Sequence, residues 1–173
     1  MSYNLTNAAQ GGNFCFTNAG LSGLTGGVST YSTGSTSIQV SIKGVLPAVK
    51  TQITGASAPT VDVAKTAFNG TSTAFTAQNA STAAVYVFTL DASGNVGVAQ
   101  GPVKAWTDTS ANSTALDFPA LPDTVTPFAY VVIKNGATGS AWTFGTGLWN
   151  ATGVVVDPVV NVSLLPGSEA ITA

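Results

Sequence analysis

Few residues of this sequence carry side chains able to do chemistry. Seven acids stand against five lysines, and arginine and histidine are absent. Three of the acids, Asp108, Asp117 and Asp123, lie in one stretch around a proline-rich segment. Two carboxylates set several ångströms apart are enough for glycoside hydrolysis. No motif, however, marks one of these as acid and another as base. Aspartates also start turns and keep a nearly uncharged surface soluble, which is the simpler reading here. Cys15, between Phe14 and Phe16, has no histidine to activate it and is expected to be a small buried thiol. None of the 16 serines has a histidine base, and no Gly-x-Ser-x-Gly elbow occurs. The expectation is a protein that is not an enzyme, with no catalytic residue and no cofactor.

Binding chemistry is equally restricted. There is no imidazole to hold zinc, copper or iron, and one thiol cannot make a multi-thiolate centre. Asp91-x-Ser93-x-Asn95 resembles the start of a calcium loop, but Gly94 precedes the last ligand and no glutamate closes it. A hairpin turn explains those residues better, and no metal site is expected. Gly23-Leu-Thr-Gly26-Gly27 lacks the lysine of a phosphate-binding loop. A net charge of -2 and no arginine argue against nucleic acid as a partner. No apolar run is longer than that of residues 128–133, which is far short of the roughly 20 residues that cross a bilayer as a helix. No basic and apolar leader follows Met1, so no secretory signal is expected. Trp106, Trp142 and Trp149 remain as candidates for stacking on sugar rings, with core filling as the competing use.

The elements that must position these residues are strands. Thr, Ser, Asn and Gln make up 57 of the 173 residues, and helix formers other than Ala are scarce. In 37–43 (SIQVSIK), Ile38, Val40 and Ile42 alternate with polar residues, the period of a half-buried strand. Further strands are expected at 49–54 and 61–65, with Asn69-Gly70 as a hairpin turn. Residues 84–90 (AVYVFTL) are apolar on both faces, which suits a central or interface strand. Asp91 to Asn95 then turns into a returning strand at 96–100, ended by Gly101-Pro102. Strands are also expected at 103–107, 128–134, 141–144, 154–156 and 159–165. The three prolines of 118–127 read as an extended crossing loop. The fold expected is all-β, one antiparallel β-sandwich or barrel of jelly-roll type over 37–173.

Residues 1–36 differ. They carry no charged side chain and many glycines, punctuated by single apolar residues. Solvating tails are usually charged and poor in aromatics. The segment is therefore expected to be an extended N-terminal arm that docks Phe14, Phe16, Leu21 and Leu24 on a partner. Charge is also missing from 66–90 and 135–156. Few charges leave sheet edges without their usual protection, and burial in a closed oligomer supplies it. A stable homo-oligomer, or permanent attachment to a larger lattice, is expected.

Three segments carry a resemblance: VYVFTLDASGNVGVAQGPV (85–103), FPALPDTVTPFAYVVIKNGATGSAWTFGTGLWN (118–150) and VVNVSLLP (159–166). They resemble small β-structured virion proteins of tailed bacteriophages, such as capsid decoration (cement) proteins and fibre components. The resemblance implies trimers seated on the major capsid protein lattice, a place on the capsid surface of the virion, and no catalytic residue. The expected function is non-enzymatic stabilisation of an assembled phage head. A carbohydrate- or receptor-binding head or tail fibre module is the alternative.

Overall fold

The computed structural model describes residues 12–45, 49–106, 115–166 and the backbone of 169–170. Its centre is a pair of long antiparallel strands, β5 (Thr82–Asp91) and β9 (Val125–Asn135). Every residue of β9 is buried, and so are all of β5 but its two ends. Outer strands flank this pair in halves. On one side, β6 (Val96–Gln100) and β7 (Lys104–Ala105) both pair with β5. On the other, β10 (Val154–Val156) and β11 (Val160–Asn161) both pair with β9. Gly101-Pro102 lies at one break and Asp157-Pro158 at the other, where proline withholds its backbone donor.

The alternation of β5 explains why it sits in the middle. Tyr86, Phe88 and Leu90 enter one apolar cluster with Phe128, Val131 and Ile133 of β9. Ala83, Val85 and Val87 enter a second, with Trp106, Leu116, Tyr130 and Val132. Both faces of the sheet are thus covered within the chain. Short two-stranded ladders cover the first face: β1 (Phe14–Cys15) with β3 (Val40–Ser41), and β2 (Thr30–Tyr31) with β4 (Ala56–Ser57). Leu116 of β8 (Ala115–Leu116) packs on the second face, and β8 pairs with β12 (Glu169–Ala170). The fold is all-β, sandwich-like, and no sheet among the described residues closes into a barrel.

Three local expectations are corrected. Residues 61–65 are no strand: Val63–Asn69 form a helix, α1. Asp62 caps it by accepting from the N–H groups of Ala64 and Lys65, and Gly70 ends it at a φ of 72°. Asn69-Gly70 is therefore a helix end rather than a hairpin turn. The crossing loop stops earlier than expected, since β9 already includes Pro127. A shift of register at Phe88/Thr89 leaves Phe128 as the extra residue, so the proline sits at a bulge, where a missing donor is tolerated.

The expected arm is also corrected over the part that is described. Cys15, Ala19, Leu21, Leu24 and Tyr31 belong to the same core as β5 and β9. No physical break falls at residue 36, because Tyr31 packs on Phe88 and Trp149 donates its indole N–H to the carbonyl of Thr30. Residues 1–11 lie outside the described residues.

Candidate functional site

A cleft opens where α1 meets β6. Asp62, just before α1, forms a parallel bridge with Val98 and so lies along the outer side of β6. The approach depends on Gly97: a Cβ there would stand 2.4 Å from Cγ1 of Val63. With α1 seated, residues 118–120 form the opposite wall of a cleft of about 380 Å³. Phe68, Pro102, Val103, Phe118 and Pro119 give it apolar sides. Phe118 is held edge-on against Tyr130 at 5.0 Å, while Phe68 stands 65% exposed at the rim.

A polar network forms the floor. Lys65 donates from Nζ to the Thr76 hydroxyl and to Gln100 Oε1. The Gln100 amide in turn accepts from the Thr76 N–H at 2.7 Å. It donates to the Thr76 carbonyl at 2.8 Å and to the Tyr86 hydroxyl at 2.9 Å. Burial pushes the Tyr86 phenol well above its ordinary range, so it remains a neutral hydroxyl. Asp62 is fully buried, and its Oδ2 lies 3.7 Å from Lys65 Nζ. Burial raises the Asp62 carboxyl above its usual range, against the opposing pull of the Lys65 and Ala64 N–H groups and the Lys65 charge. The lysine at the cleft floor is thus matched by a carboxylate behind it. The arrangement offers an apolar slot over a hydrogen-bonded floor of Lys65, Thr76 and Gln100, which suits an apolar side chain or a short extended segment.

The residues singled out from sequence fall elsewhere. Trp106, Trp142 and Trp149 are 7%, 3% and 3% exposed, so they present no face for a sugar. Trp142 donates its indole N–H to the Leu148 carbonyl at 2.9 Å, and Lys134 Nζ stands 5.6 Å from the ring centre of Trp106. These tryptophans fill the core, which corrects the stacking expectation. Leu21 and Leu24 are likewise spent inside the chain, and Phe14 is half-buried in the β1–β3 ladder. Of the four expected anchors only Phe16 faces solvent, at 58% exposure.

Asp117 and Asp123 do not converge. Asp117 pairs with Lys104 at 2.8 Å and Asp123 with Lys43 at 2.8 Å, both on the exposed surface. Asp108 lies outside the described residues. Asp91 accepts from the N–H groups of Ser93 and Asn95 and from the Asn95 amide, which makes it a hairpin turn as expected. Cys15 is buried, with its thiol pushed up by desolvation. Sequence reasoning missed Asp62, Lys65 and Phe68. The signal was present: an Asp cap, seven residues and a glycine stop mark a short helix with Phe68 near its end.

No protein-family model, no curated protein and no solved structure matches this chain.

Proposed function

We propose that this chain is a non-enzymatic structural protein of a phage virion, a decoration or cement protein that binds the assembled head as an oligomer, most simply a trimer. The observation that carries the reading is the cleft: apolar walls, an exposed Phe68, and a lone lysine neutralised from behind by Asp62. The rest of the surface supports it. Lys43, Lys65, Lys104 and Lys134 each face an aspartate, so among the described residues little unpaired charge remains to steer a charged partner. Phe16, Val45 and Leu164 add apolar side chains that stand more than half exposed.

The mechanism is mass action. A protein that binds the closed shell, and not its dissociated subunits, stabilises the shell by an amount that grows with the logarithm of its free concentration. The apolar cleft would take a side chain or short segment of the major capsid protein, and such a contact depends little on salt. Mass spectrometry of purified particles tests the reading. The chain should be present at a fixed ratio to the major capsid protein, and its absence from intact particles would overturn the proposal.

A further inference from the structure

A second concavity, of about 150 Å³, lies away from the cleft, between the turn after β1 and the strand β11. It is lined by Phe16, Thr17, Asn18, Asn161, Val162 and Ser163, and none of these is charged. We propose that this groove binds a neutral saccharide. The proposal stands apart from the virion reading and holds whether or not the chain coats a head.

The geometry of the polar groups carries it. Asn18 Oδ1 accepts from the Gly20 N–H at 2.9 Å, and Asn161 Oδ1 accepts from the Leu21 N–H at 3.4 Å. With each carbonyl oxygen tied to the backbone, each amide turns its NH₂ donors away from that contact, and neither has a partner among the described residues. Thr17 Oγ1 accepts from the Gln39 N–H at 3.0 Å, which leaves its O–H to donate. Three donors are thereby fixed by contacts to main chain, two of them to residues 20 and 21, which follow the turn directly. Beside them stands the exposed ring of Phe16, whose own N–H is anchored on the Gln39 carbonyl at 2.9 Å. A pyranose has the matching features: a ring of hydroxyls that accept and donate, and a C–H face that packs on an aromatic side chain.

The chemistry disfavours other ligands. Among the described residues no cation lines the groove to hold a phosphate or carboxylate, and no anion lines it to hold an amine. The donors are held before the ligand arrives, so little freedom is lost on binding. One ring and three hydrogen bonds support a Kd of about 1 mM.

The test is a titration of the isotope-labelled full chain with glucose, galactose, N-acetylglucosamine and lactose, followed by amide chemical shifts. For at least one of these sugars, shifts should move at residues 16–18 and 161–163 and saturate in the millimolar range. Phe16→Ala should abolish the response, and Phe16→Trp should retain or strengthen it. The exposed position of Phe16 means that both variants fold, and an unchanged spectrum elsewhere verifies this. No response to any of the sugars would overturn the proposal. So would shifts confined to the cleft by α1, or a response that survives Phe16→Ala.

Discussion

The aromatic residues of this protein fall into two regions with opposite uses. Under β5, Tyr86 stacks on Phe144 at 4.6 Å, and Phe144 meets Trp149 at 5.4 Å and Phe75 at 5.0 Å, all of them buried. At the rim, Phe68 and Phe16 stand in solvent beside concave surfaces. The larger and more polar rings, which a reader of sequence takes for ligand platforms, hold the fold together. The plain phenylalanines at element ends are what the molecule presents outward. The difference follows from size. Tryptophan supplies the largest apolar surface to bury, so the tryptophans join the aliphatic core inside, where the Trp142 and Trp149 N–H groups find backbone carbonyls.

Substitutions should separate the two regions sharply. The largest effect is expected in the inner one. Phe144→Ala removes the ring that touches five aromatic neighbours and should cost about 3–5 kcal/mol, read as a fall in the urea midpoint with little change in slope. A loss of less than 1 kcal/mol, as roughly expected of a surface site, would erase the distinction.

An intermediate effect belongs to Asp62, which joins the core to the cleft. Asp62→Ala deletes the cap of α1 and should cost about 1–2 kcal/mol. Asp62→Asn keeps the cap and removes a buried charge, so its effect should depend on pH. The folded-state pKa of Asp62 lies above its usual 3.8, so the native protein holds this proton more tightly than the unfolded chain. The contribution of Asp62 to stability is therefore greatest below pH 3.8 and declines as pH rises through the raised value. The stability difference between Asp62→Asn and the wild type should grow in favour of the variant across that window. Paired melts from acid to neutral pH check this, and a difference that shrinks with rising pH would show the sign to be wrong.

The smallest effect on stability belongs to the rim. Phe68→Ala should change it by no more than about 0.5 kcal/mol, because most of the ring is already in water.

The central sheet was legible because its signals are local and mutually consistent. Residues 84–90 are apolar on both faces, as a strand covered on both sides must be, and the Asp91 turn with its return at 96–100 is written in adjacent residues. Ile38, Val40 and Ile42 are buried as their alternation implies. The short helix was not legible from hydrophobic period. Seven residues give fewer than two full turns of pattern, and only the caps at Asp62 and Gly70 identify it. The segment after residue 11 was misread because its apolar residues are scattered at irregular spacing. Cys15 and Tyr31 reach the core from ladders two residues long, and Leu21 and Leu24 from the irregular backbone between them, a tertiary arrangement that no periodicity announces. The cleft was invisible for a similar reason, since its walls come from α1, the end of β6 and a loop near residue 118 that only the fold brings together.

The most direct test of the central claim is co-sedimentation of the purified chain with assembled heads stripped of it, at low and high salt, for wild type and Phe68→Asp. The account predicts that wild-type occupancy is nearly independent of salt and that a charge at position 68 abolishes it while the variant remains folded. Occupancy that collapses as salt is raised, or that survives Phe68→Asp unchanged, would contradict it.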